Sequence, residues 1–131
     1  MTRYTVLVDT REQRPLPLKA PILRKKLRTG DYSLLGAETR CAFERKNRHD
    51  FVSGVRANRD RFERQIERLA AYRWAAVIVE ASYHDFDQKF WRSDATVSAV
   101  KNSIAAWSLR IPIIFCGSAR GAADHLDRVL G

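Results

Sequence analysis

The amino-acid sequence predicts one α/β domain, a mixed central sheet flanked by helices. Three observations carry that expectation. Short apolar runs at residues 6–8, 77–79 and 113–115 have the length and residue types of strands. Apolar side chains recur at helical spacing in residues 58–72, in residues 97–107 and again after Ser118. Two more short segments, 32–35 and 40–46, flank a glycine turn and read as an antiparallel hairpin. Strands interleaved with helices, plus one hairpin, imply a sheet of mixed direction with helices on both faces.

Taken in order, residues 4–10 read as the first strand, around Val6, Leu7 and Val8. Residues 11–21 contain Pro15, Pro17 and Pro21, which lack the N–H a ladder needs, so the segment is a loop. Residues 22–28 suit a strand or one helical turn through Ile22, Leu23 and Leu27. Gly30-Asp31 and Gly36 mark turns at either end of the first hairpin strand. In residues 40–46 apolar and polar side chains alternate, as in a strand with one face in the core. From about Asp50 the period changes. Phe51, Val52 and Val55 suit a short helix, and Phe62, Ile66 and Leu69 a longer one from about Asn58 to Tyr72. Residues 75–80 form a buried strand. After an aromatic-rich loop, Val97, Val100, Ile104 and Trp107 share a helix face, and Pro112 ends that helix before a last strand of Ile113, Ile114 and Phe115. Ser118 caps a final helix whose apolar face is Ala122, Leu126 and Val129.

The chain has 131 residues, 45% of them hydrophobic, enough for a core in a single domain spanning residues 1–131. Cys41 and Cys116 show no metal-binding spacing and lie in apolar stretches, so buried free thiols in a reducing, intracellular (cytoplasmic or nucleoid) setting are expected. No stretch approaches the roughly 20 apolar residues of a membrane span. The net charge is +9, and residues 11–73 carry all of it, with 17 Lys+Arg against 8 Asp+Glu. A basic half-chain of this kind points to a polyanionic partner, with nucleic acid the commonest.

The chemistry concentrates in Gly30-Asp31, Glu44-Arg45-Lys46 and Asp50. On a strand, residues two apart share a face, so Glu44 and Lys46 point one way and Arg45 the other. A hairpin brings Asp31 back beside Glu44. Two neighbouring carboxylates repel unless a cation sits between them, and such hard oxygen ligands suit Mg²⁺ or Mn²⁺. Lys46 then lies where it can orient an attacking water and offset charge on a phosphate. An ordinary solvated Glu–Lys pair would produce the same three letters, and Asp…Glu-X-Lys alone is weak.

Further residues extend the pattern. Val8-Asp9-Thr10-Arg11-Glu12 precedes Gly30-Asp31, Glu44-Arg45-Lys46 is followed three residues later by Asp50, Arg61-Phe62 and Gln65 lie on the long helix, and Glu80 ends the next strand. In this order the sequence closely resembles the nuclease domain of the XPF family of structure-specific endonucleases, also found in the Hef helicase-nuclease. The likeness runs from about residue 4 to about residue 129. It implies a restriction-endonuclease-like fold of the PD-(D/E)XK type and metal-dependent cleavage of DNA, at branched, flap or fork structures, in repair and recombination. By the same resemblance Asp31 and Glu44 are direct ligands of Mg²⁺ or Mn²⁺, and the backbone carbonyl of Arg45 is a third. Lys46 is the catalytic lysine, and Asp9 acts beside the metal directly or through a water. Glu12, Arg45, Asp50 and Gln65 are supporting residues.

Two of these assignments have plain structural alternatives: Asp50 as a helix cap, and Arg45 as an ion-pair partner behind the sheet. His49 reads as an exposed loop residue or a phosphate contact. Arg11, Arg48, Arg61, Arg64 and Arg68 are candidate DNA contacts. Spacings of three and four place the last three on one side of their helix, where pairing with Asp60, Glu63 and Glu67 competes. Most XPF-type nucleases add a helix-hairpin-helix domain, for which a chain ending at Gly131 has no room. A separate DNA-binding or helicase partner is therefore one expectation. Another is a homodimer, formed through the helix of Val97, Val100, Ile104 and Trp107 unless that helix packs on its own sheet. The competing functional readings are a non-catalytic basic DNA-binding module or partner subunit, and an RNA-binding protein.

Overall fold

The computed structural model describes residues 4–131. Six strands form one sheet: β1 (Val6–Val8), β2 (Ile22–Arg24), β3 (Tyr32–Leu34), β4 (Cys41–Asn47), β5 (Trp74–Glu80) and β6 (Ile113–Phe115), in the spatial order β2-β1-β3-β4-β5-β6. The predicted hairpin is present, with β3 antiparallel to β4. β1 is also antiparallel to β3, whereas β1–β2, β4–β5 and β5–β6 are parallel. The sheet is therefore mixed, as expected. The segment left open at residues 22–28 contributes a short exposed edge strand. The first strand is confined to three residues, because the chain beyond Val8 turns at Asp9 and leaves the ladder.

Parallel neighbours require crossovers. Helices α1 (Arg48–Val55) and α2 (Arg59–Ala70) link β4 to β5. A short 3₁₀ turn (Tyr83–Asp87) and α3 (Val97–Ser108) link β5 to β6, and α4 (Ala119–Leu130) follows. The α3 helix already ends at Ser108, so Pro112 follows its end and does not terminate it. The side chain of Thr96 caps α3 and that of Ser118 caps α4, as predicted for the latter.

The two faces are covered unequally. On one, Phe51, Phe62, Ile66, Val100 and Trp107 pack over Ala42, Val77 and Val79. On the other, α4 and the proline loop bring Leu126, Ala122 and Leu16 against Val8, Tyr32, Phe43 and Ile78. Double coverage explains why Cys41, Ala42, Phe43 and Glu44 are all buried, where the alternation of β4 predicted one wet face. It also decides the α3 question. Val100, Ile104 and Trp107 are core residues of this domain, so the apolar face offered for dimerisation is already used. Of the thiols, Cys41 is buried as expected, while Cys116 is partly exposed at the sheet margin.

Gly54 sets the approach of α1 to α2: a Cβ there would lie 2.3 Å from the Phe62 ring. Phe62 in turn carries the Lys46 ammonium 4.9 Å above its ring centroid. Core packing thus fixes the position of a residue picked out for its chemistry.

Candidate active site

The site forms at the end of the sheet where β4 finishes beside the start of β3. Gly30 enters it with φ of +81°, and a Cβ at this position would lie 3.0 Å from the Phe43 carbonyl, so glycine is required immediately before Asp31. The Asp31 backbone N–H donates to the Phe43 carbonyl at 2.8 Å, and the Asp31 carboxylate accepts from the Arg45 backbone N–H at 2.8 Å. Asp31 is thereby clamped to β4 beside Glu44, itself only 8% exposed. Lys46, two residues on, places Nζ 3.4 Å from Glu44 Oε2. The three side chains singled out for chemistry do converge.

Burial first, and then the charge of Glu44, push the Asp31 carboxyl up to about 8. The two acids sit too close, and too dry, to be comfortably ionised together. They line a cleft of about 220 Å³ that also holds Lys46, Arg61, Gln65 and Arg68. Gln65 Oε1 is buried there with no hydrogen-bond partner among the described residues. Crowded carboxylates plus an orphaned amide oxygen form a donor set that suits a hard divalent cation. Among the described residues no group of three or more His, Cys, Asp or Glu is placed to share one metal ion. A further oxygen is at hand, because a strand residue sends its N–H and C=O off the same edge. The Arg45 carbonyl therefore faces the Asp31 side.

Asp9 lines the same cleft but is already engaged. One of its oxygens accepts from the Leu27 N–H at 2.8 Å, and the other from the Arg11 N–H at 3.2 Å and Nε at 2.7 Å. Burial alone would raise its pKa, yet the Arg11 guanidinium and the two backbone donors hold it below the usual value. Through these bonds Asp9 holds the loop and Arg11 in place.

Arg45 points to the opposite face, as the strand period requires. Its guanidinium pairs with Glu80 and, at 3.0 Å, with Glu12. Glu12 also accepts from the Tyr32 hydroxyl at 2.7 Å, and that hydroxyl accepts from the Leu16 N–H at 2.8 Å. The alternative for Arg45, an ion pair behind the sheet, is what the fold contains. The two glutamates raise its pKa further despite the opposing effect of burial. Sequence reasoning missed Tyr32 altogether and noted Glu80 only as a strand end. No sequence signal places Glu80 there: the parallel register of β5 on β4, with Glu80 opposite Asn47, brings it to Arg45.

Helix α1 begins at Arg48, earlier than expected, and its cap is Asn47, whose side chain accepts from the Asp50 N–H at 2.8 Å. Asp50 is thus a first-turn residue and not the cap. It lines a hollow with Lys46, Arg61 and Gln65. Arg61 and Arg68 enter the acidic cleft, and Arg64 does not. Arg61, Gln65 and Arg68 follow one helical row, while Arg64 lies off it and is exposed to solvent. None of the three arginines has a carboxylate partner among the described residues; the glutamates of α2 pair instead with Arg59 and Arg110. Arg48 lies over the Phe90 ring at 4.8 Å, and His49 packs edge-on to the same ring, so both sit outside this cleft.

The family model of the ERCC4 domain matches residues 8–129. Solved structures are similar as well, two of them as follows. XPF from Aeropyrum pernix in complex with DNA has 25% identity and a TM-score of 0.76, over 98% of this chain and 64% of that one. XPF from Aeropyrum pernix, in a second structure, has 26% identity and a TM-score of 0.77, over 96% and 63%. This chain therefore spans a little under two thirds of their length. A search of curated proteins found no match. The restriction-endonuclease-like fold implied by the sequence resemblance is the fold observed.

Proposed function

This chain belongs to the ERCC4-domain family, and we propose that it is a divalent-cation-dependent DNA endonuclease domain acting at branched, flap or fork structures. One observation carries the reading. Asp31 and Glu44 are forced together with Lys46 beside them, at the base of a cleft that unpaired arginines line.

The residues that would hold the cation are Asp31, Glu44 and the Arg45 carbonyl, with Gln65 Oε1 as the orphaned oxygen nearby. Bound Mg²⁺ or Mn²⁺ would lower the pKa of a water and neutralise charge developing on the phosphate. The chain's own side chains do the rest. Arg61 and Arg68 hold the phosphodiester in the cleft, and Arg11, fixed by Asp9, closes its other side. Lys46 is held between Glu44 and the Phe62 ring, where its ammonium orients the attacking water and meets charge on a phosphate oxygen. Asp9 and Gln65 position these groups. The Arg45–Glu12–Glu80 network keeps β4 from shifting in register. Repair and recombination of DNA are the processes this chemistry serves.

The test uses labelled flap, splayed and linear duplexes, with and without Mn²⁺. Cutting that needs the metal, and disappears in Lys46→Ala and Asp31→Asn while DNA binding persists, supports the reading. Binding without products would leave a DNA-binding module. Wild-type cutting rates in either variant would overturn the site.

A further inference from the structure

We infer that a second trough beside the active cleft holds a single-stranded stretch of the DNA leaving the cleavage point; the choice of DNA as occupant rests on the function proposed above. The trough, of about 600 Å³, lies between residues 25–29, the turn at Glu38 and the end of α2. Its cations are Lys25, Lys26, Arg28 and Arg68. Lys26, Arg28 and Arg68 have no carboxylate partner among the described residues, and Lys25 is held by Glu38 at 3.3 Å.

Two features select the occupant. First, Arg28, Thr29 and Arg68 line both the trough and the acidic cleft, so the two are immediate neighbours. A strand with one phosphate at Asp31 and Glu44 therefore meets the cations Arg28 and Arg68 as it leaves them. Second, the trough is concave and its walls are partly apolar, formed by Leu27, Ala71 and Tyr72. A flexible single strand can bend its phosphates onto the cations and lay a base or sugar on those walls, the usual logic of single-strand grooves. A stiff duplex presents its phosphates on a convex surface and rides over a hollow of this size. The exposed arginines of α2 suit that contact better.

Fluorescence anisotropy in EDTA, with a labelled oligo-dT and a blunt duplex, tests this without any cleavage. Lys25 and Lys26 are both exposed, and thermal melting checks that their variants fold. The double variant Lys25→Ala/Lys26→Ala, whose residues line the trough and not the acidic cleft, is expected to weaken oligo-dT binding by about tenfold. It should flatten the salt dependence by about 0.7 per lost phosphate contact and change duplex binding by less than about twofold. Glu38→Gln frees Lys25 and is expected to tighten oligo-dT binding, a gain that unfolding cannot mimic. Equal losses on both DNAs, or none on oligo-dT, would overturn the inference, as would loss of oligo-dT binding in Glu38→Gln. Normal oligo-dT binding by the double variant beside metal-dependent cutting by the wild type would sink this inference alone. Trough binding in a chain that never cuts would sink the endonuclease reading alone.

Discussion

The two faces at the end of β4 carry the same kinds of residue and treat them oppositely. Behind the sheet, Arg45 sits between Glu12 and Glu80, and Tyr32 completes the hydrogen bonding of Glu12. In front, Asp31 and Glu44 face one another with one lysine between Glu44 and an aromatic ring, and an amide oxygen of Gln65 has no partner. Partnered charges hold the strand in place. Under-neutralised charges one residue away wait for something to arrive. A charged cluster is therefore read by its remaining deficit, since a closed network has nothing left to bind.

The largest expected effect breaks the front face only. Lys46→Ala and Asp31→Asn should each lower metal-dependent nicking by about a thousandfold, close to 4 kcal/mol of barrier. In EDTA the Asp31→Asn domain should melt no lower than wild type, because the change removes repulsion from Glu44. A large drop in its melting temperature would mean that the front face is structural after all.

Breaking the rear face should do the reverse. Arg45→Met leaves Glu12 and Glu80 without their cation and is expected to cost about 2–4 kcal/mol in denaturant unfolding. Adding Glu12→Gln and Glu80→Gln should recover part of that loss. If Arg45→Met unfolds at the wild-type midpoint, the network contributes no stability.

A smaller effect concerns pH. The Asp31 carboxyl rises from 3.8 to about 8 on folding. The folded domain then binds more protons than the unfolded chain between those values. The associated stability is complete below about 3.8 and is lost as pH climbs towards about 8. Metal-free wild type should therefore melt progressively lower from pH 5 to pH 8, and Asp31→Asn should slope less. Stabilisation by Mn²⁺ should grow over the same window, which melting curves at fixed metal concentration measure.

The finest distinction is between two arginines on one helix. Arg68→Ala should weaken duplex binding and reduce its salt slope by about 0.9. Arg64→Ala, outside the cleft, should change the slope by less than half of that. Equal slopes for both variants would remove the preference for the cleft-lining row.

Much of the site was legible because its key groups are local or periodic. Gly30 must be glycine for its φ, and it precedes Asp31 in the chain. Glu44 and Lys46 share a face because strands alternate, and the hairpin had its turn residue at Gly36. Other features were invisible for physical reasons. Helical spacing groups Arg61, Arg64 and Arg68 together, but only the burial of Phe62, Ile66 and Leu69 sets which sector of α2 overlooks the acids. Asp9 is an acid like Asp31, and only the folded loop shows its oxygens bonded to Arg11 and Leu27. Glu80 and Tyr32 are far from Arg45 in sequence and meet it through β-sheet register.

The sequence alone determined the mixed α/β class, most of the helix and strand order and the basic half of the chain, because these follow from local periodicity and residue chemistry; the acid–acid–lysine trio stood out only through the resemblance of the surrounding motifs to the XPF family. Tertiary structure decided which charges are satisfied and which are left wanting. Satisfaction depends on what other segments bring within hydrogen-bonding distance, and neither spacing nor composition encodes that.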